Sequence, residues 1–335
     1  MNEQSNKEFG FQRVSIKVRF EIPAGDHHST AALTQWRRLA NQAPTLHFLD
    51  VCAISHIKTH LKKSPDPDAP VRESISELRK LDVPGNGISY LAAFLEKTSD
   101  LNHPKTDEGL VAEVECDLTA LQQFFKNAKV YEGGHITPDQ ILELKGEHPE
   151  ELGPIYHQFL IFINSLKLYD APAADKRLEL VAQICSKAEK LGILKNHPVV
   201  ITSVACVYGF VPALKVIKFK EDPAEFNASN ALGDIQLIQR IANMSNLILE
   251  IWRKQRIGYA KTKFFTDDRD LRLLLECFSV SDVSRNESEG LTTTSYQITT
   301  NFARLLPVLH NQAGDIKSLK EDEERSEVYR LLGIG

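Results

Sequence analysis

TLHFLDVCAISHIK, residues 45–58, decides the fold. TLHFL is a β-rich apolar run, Asp50 ends it, and a helical pattern follows from Ser55 to Lys63. On the two-residue period of a strand, Asp50 shares a face with Leu46 and Phe48. The carboxylate is therefore set at the carboxyl end of a hydrophobic strand. Asp is also common at strand ends and as a helix N-cap, so Asp50 alone leaves a structural and a functional role both open.

Working outward, residues 11–22 (FQRVSIKVRFEI) alternate apolar and polar side chains through Val14, Ile16, Val18 and Phe20, a strand pattern. PAGDHHST ends it, and Thr30 to Asn41 has helical character. SPDPDAP at 64–70 is a loop, because closely spaced prolines break any regular element. Val71 to Leu81 reads as a helix, PGNG at 84–87 as a turn, and Ile88 to Thr98 as a short strand or turn running into a helix. From about 100 to 197 the pattern is helical, with start signals ITPD at 136–139 and APAAD at 171–175. Beyond it the strand and helix alternation resumes. Apolar 199–208 reads as a buried strand or core helix, 228–250 as a helix, KFFTDD at 263–268 as a strand, Leu271 to Cys277 as a helix, and 292–300 as a strand. The tail KSLKEDEERSEVYRLL is a charged helix. Strands separated by helices predict an α/β fold with a mainly parallel central sheet flanked by helices. The expected division is 1–99 and 198–310 as two parts of that α/β domain, 100–197 as a helical insertion and 311–335 as a C-terminal helix.

The 335 residues carry 40 Lys+Arg against 45 Asp+Glu, a net charge of −5, which excludes a generally basic polyanion-binding chain but not local basic patches. Five Cys lie far apart with no CxxC pair, against a zinc site or a disulfide framework. The polar N-terminus has no apolar signal region. Pro198 to Leu214 is uncharged but interrupted by Gly209 and Pro212, and short for a bilayer span. A soluble, cytoplasmic protein with no membrane association is expected.

In α/β folds, chemistry gathers at the carboxyl ends of the strands, and four acids stand at such places or beside them. Asp50 is the first. Asp234 in NALGDIQLIQRIA shares the apolar stripe of Leu237, Ile238, Ile241 and Ala242. A carboxylate there needs a cation, a metal or hydrogen-bond donors, unless it simply sits in the first turn with the helix dipole. Glu96 follows the small residues Ser89, Ala92 and Ala93 on its helix face. Asp268 belongs to KFFTDDRDL, where Asp267 and Asp270 crowd the same strand end. Adjacent carboxylates repel, and a hard divalent cation relieves the repulsion. Mg²⁺ or Mn²⁺ is therefore the expected cofactor, and the loop pair His27–His28 is given no metal role.

At these residues the chain resembles the PIN-like nuclease superfamily. FLDVCAISHIK is similar to that family's opening strand and first Asp, and ISYLAAFLEK to the segment carrying its Glu. NALGDIQLIQRIA is similar to the helix with its next Asp, and FFTDDRDL to its Thr-x-Asp strand end. The resemblance covers roughly 46–98 and 199–300, with the order Asp50, Glu96, Asp234, Asp268. It implies a metal-dependent nuclease, acting on RNA before DNA, and often a toxin or antiviral defence effector. Asp50, Asp234 and Asp268 would hold the metal, with Asp267 and Asp270 sharing the role of Asp268, and Glu96 would act on the water. Glu73 and Glu77 are substitutes for Glu96. WRKQRIGYAKTK at 252–263 supplies Arg253, Lys254, Arg256, Lys261 and Lys263 beside Trp252 and Tyr259, a composition suited to a nucleic-acid backbone track. Lys58, Lys62 and Lys63 add charge after Asp50, and Lys215, Lys218 and Lys220 add more. The helical block would dock a protein regulator or a second copy of the chain. Two rivals stand beside this reading. A haloacid-dehalogenase-like phosphohydrolase needs D-x-D, and Asp50-Val51-Cys52 lacks the second acid. A non-catalytic PIN-like assembly module is the other.

Overall fold

The computed structural model describes residues 14–16, 43–62, 68–99, 106–133, 136–146, 153–255, 257–288, 291–310 and 319–334. In chain order the elements are β1 (Val14–Ile16), β2 (Thr45–Leu49), α1 (Val51–Leu61), α2 (Ala69–Leu81), β3 (Gly87–Ser89), α3 (Leu91–Ser99), α4 (Asp107–Phe124) and β4 (Lys129–Val130). Then come α5 (Pro138–Gly146), α6 (Gly153–Ser165), α7 (Ala174–Lys190), α8 (Pro198–Val207), α9 (Val211–Ile217), α10 (Ala228–Gln255), β5 (Lys261–Phe265) and α11 (Arg269–Leu275). The last are β6 (Phe278–Ser288), β7 (Leu291–Thr300), α12 (Phe302–Leu305) and α13 (Leu319–Leu332).

Four strands form a parallel sheet in the order β4-β3-β2-β5, flanked by helices, so the chain is mixed α/β. β2 is its first strand and sits inside it, buried along its whole length. Alternation divides its side chains. Leu46 and Phe48 join Ala92, Met244 and Tyr259 on the side of α10, while Leu49 packs with Ile54, Ile57, Leu78 and Leu121 on the side of α1, α2 and α4. From β2 the chain winds outward to β3 and β4, then returns to place β5 on the other side of β2. The winding reverses between β2 and β5. A crevice opens at the carboxyl ends of strands at such a reversal.

The region 100–197 is not uniform. α4 packs against α1, and β4 extends the sheet. The sheet layer thus runs about thirty residues beyond the expected boundary near 99. A two-residue strand is too short for alternation to announce it in the sequence. α6 to α9 form a second core with α10 and α11, to which β6, β7 and α13 also contribute. Among them α8 settles the open reading of 199–208 as a helix. Pro198 occupies its first turn, His197 caps it by accepting the Val199 N–H at 3.2 Å, and all ten of its residues are buried. A helix apolar all round belongs in a core. No single helix among the described residues is long and apolar enough to cross a membrane.

The strand at 292–300 is present as β7, but in a separate three-stranded sheet of order β1-β7-β6, with β1 parallel to β7 and β6 antiparallel to it. The expected strand at 11–22 is described only over β1. The helix expected at Thr30 to Asn41, and His27–His28, lie outside the described residues.

Candidate carboxylate site

Asp50 leaves β2 and becomes the N-cap of α1, accepting the Ala53 N–H at 2.7 Å. Glu96, on α3, accepts the neighbouring N–H of Val51. Two carboxylates from different segments therefore cap one helix start, where the dipole favours negative charge. Asp268 repeats the device on the adjacent strand. It caps α11 by accepting the Leu271 N–H at 2.8 Å, and its own N–H donates to Thr266 Oγ1 at 3.0 Å. The Thr266 side chain also hydrogen-bonds Asp50, tying the ends of β2 and β5 together. Asp234 approaches from the second turn of α10, with Lys218 Nζ 3.4 Å and Asn230 Nδ2 3.3 Å from its Oδ2.

These acids feel one another. Burial, reinforced by Glu96 and Asp267, raises Asp50 to about 7 despite its bonds to Thr266 and Ala53. Burial and the charge of Asp234 raise Glu96 to about 7, against the pull of Arg240 and Lys218. Asp234 is raised to about 6 by burial, with Lys218 opposing and Asp268 and Asp50 adding to the rise. Cys52, exposed one residue into α1, has its thiol pushed up to about 12 by burial of the sulfur and then by Asp50, Glu96, Asp268 and Asp234 together. One thiol senses all four acids. The four segments thus converge at the reversal of the sheet.

Convergence stops short of a cage. Among the described residues no three His, Cys, Asp or Glu side chains stand close enough together to hold a metal ion. The donor set is nevertheless of the right kind: hard carboxylate oxygens, partly buried, and each of Asp50 and Asp268 spends one named oxygen on its helix cap. Lys218, half exposed, and Arg240, buried, are the cations that offset the acids.

Other expected site residues lie elsewhere. Asp267 turns toward α1 and α2, where its Oδ2 meets His56 Nδ1 at 2.8 Å and Ser74 Oγ at 2.5 Å. Asp270 stands in the first turn of α11 and is not among the acids that raise Asp50 or Asp234. Glu73 and Glu77 are exposed on α2, and Glu77 pairs with Lys80. Lys58 is spent inside the fold: its ammonium is 2.7 Å from the fully buried Asp117, which also holds Lys97 at 2.5 Å and accepts from Tyr90 Oη at 3.0 Å. Lys62 is exposed beyond it.

The proposed basic track does not meet the acids. Arg253 is nineteen residues along α10 from Asp234, about 28 Å at 1.5 Å per residue. Lys261 begins β5 while Asp268 follows its end. Arg253, Lys254 and Lys261 therefore sit at the amino edge of the sheet, because α10 and β5 are antiparallel and their junction faces away from the carboxyl ends. Lys263 is exposed, opposite His47 in the register with β2. Arg256 lies outside the described residues.

One supporting group has no sequence signal. Glu132, just after β4, accepts from Ser89 Oγ at 2.5 Å and Tyr90 N at 2.9 Å, holding the start of α3 and so the helix that carries Glu96. A lone Glu 42 residues beyond Tyr90 could not be linked to it before the strands were paired. Comparison with family models, curated proteins and solved structures returned no match.

Proposed function

We propose that this chain is a metal-dependent nuclease of PIN-like design, cleaving phosphodiester bonds with Asp50, Glu96, Asp234 and Asp268, and RNA before DNA. One observation carries the reading: Asp50, Glu96 and Asp234 come from separate segments to the sheet reversal, and burial together with neighbouring acids, Asp268 among them for Asp234, raises the proton affinity of all three. Structural acids are ordinarily paired off, as Asp117 is with Lys58 and Lys97. At the reversal, negative charge outweighs its partners, which is the state a divalent cation corrects.

Asp50, Asp234 and Asp268 would hold Mg²⁺ or Mn²⁺. The bound ion would supply Lewis acidity toward the phosphate and acidify the attacking water. Glu96, raised to about 7, is matched to taking a proton near neutral pH. The helix starts at Val51 and Arg269 add N–H dipoles that hold two carboxylates in place before substrate arrives. Lys218 lies close enough to Asp234 to take a phosphate oxygen once the acids are neutralised.

The test is cleavage of labelled RNA and single-stranded DNA with Mn²⁺ by the parent, Asp50→Asn and Asp234→Asn. Activity in the parent that each substitution lowers by 100-fold or more supports the proposal. A purified parent inert on both substrates favours the non-catalytic assembly module.

A further inference from the structure

Two sheets end at the same opening. β5 is the last strand of the parallel sheet and β6 the last strand of the three-stranded sheet, and among the described residues neither has a neighbour on its outer side. A cleft of about 700 Å³ lies between them, walled by α10 and α11. The β5 hydrogen bonds show which backbone groups face it. Asp50 N–H donates to Phe265 O and Lys261 N–H to Pro44 O, so the odd-numbered residues of β5 pair with β2. Thr262 and Phe264 must then turn their N–H and C=O outward, and they are the β5 residues that line the cleft. Along β6 every residue from Phe278 to Val283 lines it, as a strand edge would.

An open edge with half-buried strand residues is a template for another strand. The floor is apolar, from Phe264, Leu275, Phe278 and Val280. Arg253 and Arg272 stand exposed at the α10 and α11 walls and make no ion pair among the described residues, while the two acids of the lining are Glu276, paired with Arg304, and Asp282, exposed on β6. We infer that the cleft is a peptide-binding groove, in which an extended segment of a partner protein adds a strand to β5, with alternate apolar side chains on the floor and acidic ones at Arg253 and Arg272. Main-chain bonds would supply affinity and the alternate pockets selectivity. β5 offers length for about five residues at 3.3 Å each. Thr266, whose hydroxyl bonds Asp50, lines the end of the cleft beyond β5, but the added strand would pair along Thr262 and Phe264, so its test runs without metal and its failure leaves the nuclease proposal untouched.

The experiment uses the full chain in EDTA. Hydrogen exchange first reads the Thr262 and Phe264 amides, which should exchange fast in the free protein. A displayed library of random nine-residue peptides is then selected on the parent and counter-selected on Ser245→Trp, which fills the cleft. Selected peptides should alternate apolar and acidic residues, and should slow those two amides at least tenfold. They should bind Arg272→Glu at least tenfold more weakly; that exposed site spares the fold even where Ser245→Trp does not. N-methylation of the peptide at alternate positions should abolish binding in one register only. Slow exchange in the free protein, a library that yields no binder, binders indifferent to Arg272→Glu, or displacement by a twelve-nucleotide oligouridine each overturn the inference.

Discussion

Replacing Asp50 by Asn removes a charge that the fold tolerates poorly while leaving its geometry intact. Asn is as good an N-cap as Asp, so the bond from Ala53 N–H survives. The parent carboxyl rises from 3.8 to about 7 on folding. At about 1.4 kcal/mol per pH unit, ionised Asp50 costs the metal-free fold up to about 4 kcal/mol above pH 7. The sign follows from proton counting. The folded state holds its proton more tightly than the unfolded chain, so this group favours folding below pH 4. That advantage disappears as pH rises from 4 through 7. Asp50→Asn should therefore be more stable than the parent in EDTA at pH 8, by up to about 4 kcal/mol, and the difference should shrink toward zero at pH 4. Urea denaturation followed by circular dichroism at pH 4, 5, 6, 7 and 8 measures it. With Mn²⁺ at pH 8 the order should invert, because only the parent gains from the ion. A variant less stable than the parent at every pH, with no pH trend in the difference, refutes the reasoning. Asp50 would then be a simple helix cap.

Thr266→Val removes the hydroxyl that bonds Asp50 and receives the Asp268 N–H, so the pH midpoint of Mn²⁺ binding should move upward, read by calorimetry across pH 6–8. An unchanged midpoint would show that Thr266 does not tune the site. Glu132→Ala frees the start of α3, which should cost about 1–3 kcal/mol in denaturant titrations and weaken Mn²⁺ binding through Glu96. Asp117→Ala leaves Lys97, whose side chain is 6% exposed, short of one of its two carboxylates. The expected loss is about 3 kcal/mol, with Mn²⁺ affinity kept if the remaining fold is intact. Cys52 should react slowly with iodoacetamide at pH 8, because burial of the sulfur and then the neighbouring acids raise its thiol to about 12, and faster in Asp50→Asn, which removes the nearest of those charges. Equal rates would place the thiol outside the influence of Asp50.

The strand at β2 and the amphipathic stripe of α10 were legible because each has enough residues for its period to emerge. Asp50, Asp234 and Asp268 stood out because each interrupts an apolar pattern or ends one. What the one-dimensional pattern could not carry was direction. Arg253 and Lys261 are adjacent to the Asp268 strand in sequence yet belong to its opposite end, since a helix and the strand after it run antiparallel. Lys58 follows Asp50 within eight residues, but its partner Asp117 comes from a helix 59 residues away. β4 and Glu132 were hidden for a related reason. Two strand residues and a single acid acquire meaning only from neighbours in space.

The central claim is that the acids at the reversal of the sheet share a divalent ion. Electron paramagnetic resonance titration of Mn²⁺ at pH 7.5 tests it without a substrate. Saturable binding of one or two ions to the parent, abolished separately by Asp50→Asn, Asp234→Asn and Asp268→Asn and retained by the Asp267→Asn and Asp270→Asn variants, is the predicted result. Mn²⁺ that stays free in the presence of the folded parent, or binding that survives all three substitutions, would contradict it.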